Sequence, residues 1–211
     1  MVRLIIARHA ESEWNTIGRY QGLKDPDLTE RGLKQAELLA HEMKGEDIDL
    51  IISSPLRRTY KTAKIVGDHL GIEPIKEDRI IEINHGTWSG MLVEEVKKKY
   101  PDDFRKWLES PQEVVFPEGE SVVDVYKRVK DFLEDLKSSY NGKTVMLVSH
   151  TVPIRCMYCA LLNVDLSRFW SFGCDNASYS VINLDGDRAV ITKLNITCHL
   201  GEFYVESNKA L

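Results

Sequence analysis

Four short clusters carry residues whose types and spacing can do chemistry. The first is Arg8-His9-Ala10-Glu11-Ser12-Glu13-Trp14-Asn15. The apolar, branched run at residues 2–7 has the pattern of a buried strand, so His9 stands at a strand end, held rigidly and turned to an open edge. Arg8 beside it offers a forked donor that matches phosphate oxygens. A polar strand end with a capping role would use the same residue types. The second cluster is Ser53-Ser54-Pro55-Leu56-Arg57-Arg58-Thr59. Residues 50–52 read as a strand, and Pro55 fits the first turn of a helix that runs toward Gly71. An arginine in that turn opposes the helix dipole unless an anion sits there. Two arginines point to a phosphate, while a solvated side chain describes at least one of them.

The third cluster is Glu82-Ile83-Asn84-His85-Gly86-Thr87-Trp88-Ser89-Gly90. Glu82 ends an apolar stretch, so it is half buried. Burial raises a carboxyl pKa and suits it to proton donation near neutral pH. A strand-end glutamate paired with a lysine would look the same. The fourth is Val148-Ser149-His150-Thr151-Val152-Pro153. A lone histidine there is structural as readily as functional; its weight comes from matching His9 in placement.

Together these residues can transfer a phosphoryl group without a metal. A neutral His9 attacks phosphorus. Arg8, Arg58 and His150 hold the equatorial oxygens, where charge develops. Glu82 protonates the leaving oxygen and then helps water attack the phosphohistidine. The demand is large, because uncatalysed phosphate-monoester hydrolysis requires up to ~10²¹-fold acceleration. No cofactor is expected. No H-x-x-x-H or strand-end D-x-D supports a metal site, and Asp47-Ile48-Asp49 precedes its strand, where an aspartyl phosphatase nucleophile would follow one.

These clusters need elements to position them. Thr29 can cap a helix in which Leu33, Ala36, Ala40 and Met43 share a face. Residues 74–83 hold a third, less regular extended stretch. Residues 86–118, rich in tryptophan and proline with a short helix near 93–100, read as an insertion beside the site. Ser121 caps an amphipathic helix that buries Val122, Val125, Val129, Phe132 and Leu136, with Asp124 completing a capping box. Residues 144–148 form the most apolar strand, and a helix follows from about Pro153. Residues 178–184 and 189–196 close the pattern as two strands. Alternating strands and helices imply a three-layer α/β/α sandwich: a mostly parallel central sheet with helices on both faces. Ligands bind such sheets beyond the carboxyl ends of strands, where Arg8-His9 and Ser149-His150 lie.

The 211 residues suit one domain, 1–211, with 86–118 as its cover. The net charge of −5 argues against nucleic acid as a partner. No apolar run approaches the ~20 residues of a membrane span, and the first run breaks too early for a signal peptide. A cytoplasmic protein is expected, with Cys156, Cys159, Cys174 and Cys198 as free thiols. Cys156 and Cys159 form C-x-x-C inside a predicted helix and without a second pair.

The four clusters, in this order and at these spacings, resemble the motifs of the histidine phosphatase superfamily over nearly the whole chain. The resemblance implies that His9 is phosphorylated, that Glu82 is the proton donor, and that Arg8, Arg58 and His150 bind phosphate with Asn15 in support. Arg58, not Arg57, aligns. Gln21-Gly22 matches a loop near the phosphate. His85 and Thr151 fall beside the reacting groups and are expected to contact substrate. Ala10 and Thr151 depart from the family, which carries glycine at both positions. The sequences most similar in pattern are metal-independent phosphoserine phosphatases related to phosphoglycerate mutase. A small phosphorylated metabolite as substrate, a role in serine biosynthesis and a homodimer are therefore expected. A mutase, or a broad sugar- or nucleoside-phosphate phosphatase, shares the core motifs.

Overall fold

The branched run at the start of the chain forms β1 (Val2–Arg8), one of the two central strands of a six-stranded sheet. The computed structural model describes residues 1–207. Strand order is β3-β2-β4-β1-β5-β6, with β2 at Leu50–Ser53, β3 at Ile75–Lys76, β4 at Thr144–Ser149, β5 at Tyr179–Asp185 and β6 at Arg188–Ile196. The β3-β2-β4-β1 pairings are parallel; β5 runs antiparallel to both β1 and β6. Every strand but β5 thus shares one direction, as the alternating pattern predicts.

Among the described residues seven α-helices accompany the sheet: α1 (Glu13–Thr16), α2 (Glu30–Met43), α3 (Arg57–Leu70), α4 (Val93–Lys99), α5 (Pro101–Glu109), α6 (Val122–Ser139) and α7 (Thr151–Leu162). Side chains alternate across β1 and so sort the helices into layers. Leu4 and Ile6 share a core with Val125, Val129 and Phe132 of α6 and Ile154 and Cys156 of α7. Ile5 and Ala7 pack with Leu39, Ala40 and Met43 of α2 and Ala63 and Val66 of α3. The result is the expected three-layer sandwich. Each fully buried Ile or Leu contributes about 1.5–3 kcal/mol. Thr29 accepts from Gly32 N, and Ser121 and Asp124 cap one another's backbone, as their sequence signatures predict.

Several boundaries differ from expectation. Helix α3 begins at Arg57, so Pro55 lies before the N-cap residue Leu56 rather than in the first turn. Helix α7 begins at Thr151 rather than near Pro153. Pro153 sits in its first turn, where the missing N–H has no helical acceptor to lose. The third extended stretch shrinks to the two residues of β3 and a 3₁₀ turn at Asp78–Ile80. The 86–118 segment holds a second helix, α5, opened by Pro101 at its N-terminus. That proline starts a helix rather than breaking one. Trp88, Phe104, Trp107 and Phe116 carry this segment into the same core as α6 and α7. Its two ends meet at Gly86, whose φ is +50° and where a Cβ would stand 1.9 Å from Pro117 O.

All four cysteines are free; Cys156, Cys159 and Cys174 are buried and Cys198 is exposed. Burial raises all three buried thiols, Cys159 to about 11, which keeps them protonated and unreactive. Among the described residues no helix is long and apolar enough to cross a membrane. Of the expected domain span 1–211, residues 208–211 lie outside the described residues.

Candidate active site

Strand register builds the centre of the site. In the parallel β1/β4 pair, Arg8 stands opposite Ser149, so His9 and His150 leave neighbouring strands at one height. His9 N donates to Ser149 O at 3.0 Å, and the two imidazoles lie 5.3 Å apart, tilted by 59°. Other elements close around them. Arg58 comes from the first turn of α3, and Glu82 and His85 from the segment before the insertion. Asn15 comes from α1, Gln21 and Gly22 from the loop after it, and Thr151 from the start of α7. One pocket is lined by Arg8, His9, Asn15, Gln21, Gly22, Arg58, Glu82, His85 and Thr151. Those are nine of the ten residues expected from sequence. The tenth, His150, is fully buried against His9.

His9 Nδ1 lies 2.7 Å from Ala10 O. A carbonyl only accepts, so Nδ1 carries the proton and Nε2 keeps its lone pair. Burial, then the Arg58 and Arg8 guanidinium groups, hold the His9 pKa well below its ordinary value. A neutral imidazole with an unprotonated Nε2 is a nucleophile. His150 is held neutral by the same burial and the same Arg58, with His9 adding to the effect. Its Nε2 lies 2.7 Å from Ser54 Oγ. It is also the N-cap residue of α7 without a side-chain cap, and no acid stands in that helix's first turn. The positive end of a twelve-residue helix therefore faces the site.

Of the arginine pair, Arg57 is exposed and Arg58 fully buried. Arg58 Nη1 and Nη2 donate to Lys24 O at 2.8 Å and Gly22 O at 3.0 Å. Burial lowers its pKa to about 10, partly offset by Glu82 and Asp25, so it stays charged. Gly22 presents that carbonyl from a φ of +52°, and a Cβ there would meet Ser89 Oγ at 2.8 Å. Arg8 Nη1 donates to Cys174 O at 2.7 Å and Ser207 Oγ at 3.0 Å. Among the described residues, Arg8 Nε, Arg58 Nε and His150 Nδ1 are buried without a hydrogen-bond partner. Buried donors are costly to leave unpaired.

Glu82 is buried, and burial raises its pKa against the pull of Arg58, the Ile83 N–H and Arg8. Its Oε1 accepts from Ile83 N at 2.9 Å. A carboxyl group whose pKa is raised by burial is better suited to donate a proton than an exposed one. His85 is also buried, and its pKa is driven to about 3 by burial and then Arg58. Its ring packs against Phe116 at 4.9 Å and Tyr20 at 5.0 Å. Asn15 Oδ1 accepts from Ser12 N at 3.0 Å, and Ser12 Oγ lies 3.0 Å from Gln21 Oε1. Neither Ala10 nor Thr151 takes a positive φ, so the two departures from glycine introduce no backbone strain.

Three further residues line the pocket that sequence reasoning missed: Arg19, Trp107 and Val152. Arg19 Nη1 donates to Gly90 O at 2.6 Å, and its guanidinium lies 5.5 Å from the centre of the Trp14 ring. A cation between Gly18 and the Gln21-Gly22 pair was the available signal. Trp107 arrives on α5, the helix hidden by its prolines. Ser54, whose sequence signal is only that of a strand stop, touches His150. Ser207, the last described residue, reaches the site through Arg8, while His199 and Leu200 pack against Ala177 and the Ala10 cluster.

Comparison with known proteins agrees with this fold. "Phosphoserine phosphatase 1" of Hydrogenobacter thermophilus is 66% identical over 211 residues, covering 100% of both chains. The structure of Bacillus stearothermophilus YhfR superposes with a TM-score of 0.89 at 27% identity, covering 95% of this chain and 100% of that one. A mutant phosphoserine phosphatase from Entamoeba histolytica, in complex with phosphoserine, superposes with a TM-score of 0.84 at 33% identity, with the same coverage. The model of the histidine phosphatase superfamily (branch 1) matches residues 4–197. Motif order, strand-end histidines and these likenesses agree: the chain belongs to the histidine phosphatase superfamily.

Proposed function

We propose that the chain hydrolyses phosphomonoesters through a phosphohistidine on His9, with L-phosphoserine as its substrate. The observation that carries the chemistry is the pair of buried Nε donors of Arg8 and Arg58, unpartnered among the described residues, beside the open Nδ1 of His150 and around a neutral His9. A phosphoryl group supplies the acceptors those donors lack. His9 Nε2 attacks phosphorus in line with the ester oxygen. Arg8, Arg58, His150 and the α7 N-terminus stabilise the equatorial oxygens. Glu82 gives its proton to the leaving serine oxygen. It then takes a proton from the water that attacks the phosphohistidine, which restores His9 and releases phosphate. The carbonyl end of Asn15 is engaged by Ser12, so its NH₂ end is the group it offers a phosphate oxygen. Gln21, Gly22 and Thr151 shape the wall, and His85 faces the leaving group.

The leaving group rests on the 66% likeness to a phosphoserine phosphatase and on the structural likeness to a phosphoserine complex. The reading includes a single catalytic domain covered by residues 86–118, catalysis without a metal, a homodimer in the cytoplasm and a place in serine biosynthesis. A phosphoglycerate mutase would use the same His9 and return the phosphoryl group to bound product. The decisive experiment assays phosphoserine, phosphothreonine, 3-phosphoglycerate and sugar phosphates side by side, with and without a chelator. A mutase assay primed with a bisphosphoglycerate is run in parallel. Highest kcat/KM for phosphoserine, unchanged by chelator, is expected. Dominant mutase turnover or loss of activity with chelator overturns the reading.

A further inference from the structure

The C-terminal halves of α2 and α3 bring together a set of side chains unrelated to the phosphoryl chemistry. Glu37 and His41 stand four residues apart on one face of α2, and His69 faces them from α3. Their ligand atoms all lie within 4.8 Å of one another. Glu37 Oε2 is 2.7 Å from His69 Nε2, and the His41 and His69 rings meet edge-on with centroids 5.0 Å apart. Glu37 and His69 are half-buried and His41 is exposed. A metal about 2.1 Å from each ligand atom needs those atoms roughly 3–4 Å apart, so small side-chain rotations complete the site.

We propose that Glu37, His41 and His69 bind one divalent transition-metal ion, with zinc the favoured species and solvent completing its shell. Two imidazoles and one carboxylate suit zinc, nickel or copper and disfavour magnesium or calcium, which take oxygen ligands. Both histidines sit in the last turn of their helices. The negative ends of two helix dipoles therefore converge on the cation. The ion would tie α2 to α3, elements separate in sequence that pack on one face of the sheet. Its place is structural. Arg58 and His69 lie at opposite ends of α3, ~16 Å apart along its axis. This inference does not depend on the proposed substrate.

The test uses the full-length protein without an affinity tag, titrated with zinc chloride and, as control, magnesium chloride. Wild type should bind one zinc ion. Its Tm should rise by about 5–10 °C at free zinc a hundred times Kd, with no response to magnesium. His41→Ala, His69→Ala and Glu37→Gln should each weaken binding by more than the roughly 10–100-fold that loss of an outer partner costs a metal site. Their metal-free Tm and their turnover should stay near wild type, which separates lost binding from lost folding. Cobalt should give the visible bands of a low-symmetry site in wild type and lose them in the histidine variants. His9→Gln should bind zinc as wild type does. Absence of a saturable zinc response overturns the proposal. Binding that survives the three substitutions, or that disappears with His9→Gln instead, does so too.

Discussion

His9 and His150 leave adjacent parallel strands and stand 5.3 Å apart as two neutral imidazoles. Their closeness is useful because neither is charged. Burial disfavours protonation of both, and Arg58 and Arg8 disfavour it further. The site therefore keeps its positive charge on arginines, which bind anions, and leaves His9 with a lone pair. Two protonated histidines in this place would bind phosphate and could not attack it.

Replacement of His9 tests that division of labour. His9→Ala should abolish turnover, since the remaining residues supply no other nucleophile, yet it should still bind substrate through Arg8 and Arg58. Rapid quenching of wild type with labelled substrate should trap acid-labile phosphate on His9. Substantial turnover by the alanine variant would refute the phosphohistidine route.

Glu82 predicts a pH profile. It must be protonated to donate, and its pKa is raised, chiefly by burial. Activity should therefore fall as pH rises through the raised Glu82 pKa of the free enzyme. The depressed pKa values of His9 and His150 place any acid limb well below 6.5. Glu82→Gln should slow phosphoserine, which has a poor leaving group, far more than an activated aryl phosphate that needs little protonation. Equal losses on the two substrates would remove Glu82 from the role of acid.

What the sequence disclosed, and what it hid, follows from where each signal resides. Strand ends announce themselves, because residues 2–7 and 144–148 are apolar runs that stop at Arg8-His9 and Ser149-His150. Hence His9, the proposed nucleophile, and its neighbour His150 are legible in the order of residues alone. The arginine pair is legible only as a pair, since burial of Arg58 and exposure of Arg57 depend on how α3 rotates against β2. Trp107 is out of reach because α5 opens on proline in a segment dense with loop residues. Arg19 needs the fold of the loop after α1 to bring it to the pocket. The contact between Ser54 and His150 spans 96 positions and leaves no local pattern.

Ser54 is worth a variant of its own because of that contact. Its hydroxyl and the His150 ring are both fully buried. Ser54→Ala leaves His150 Nε2 unpartnered, at a cost of about 1–3 kcal/mol, or a Tm fall of ~2–12 °C. If Ser54 also holds His150 in its phosphate-binding orientation, kcat should fall with little change in KM, and Ser54→Thr should restore much of it. A Tm loss with kcat intact would confine Ser54 to a structural part.

His85 predicts both a stability profile and a specificity test. Its pKa is depressed from 6.5 to about 3, first by burial and then by Arg58. Its stabilising share is therefore complete above 6.5 and is lost as pH falls toward 3, up to roughly 4–5 kcal/mol. His9 and His150 act in the same direction. Denaturation measured between pH 6.5 and 4 should thus show stability falling with acid, and His85→Gln should flatten the slope by about one proton. At neutral pH the ring is uncharged and held by Tyr20, Trp107 and Phe116. Its Nδ1 is buried without a partner among the described residues. A neutral imidazole so placed can donate to the carboxylate of phosphoserine and still leave the phosphate to Arg8 and Arg58. His85→Ala should raise KM for phosphoserine with a smaller change in kcat, a drop of roughly 10- to 150-fold in kcat/KM. An aryl phosphate lacking the amino-acid group serves as the control for any general damage from the cavity left behind. If that substrate falls equally, His85 supports the site without reading the leaving group. If neither substrate changes, the carboxylate is held elsewhere, and Arg19 on the same pocket wall is the next residue to replace.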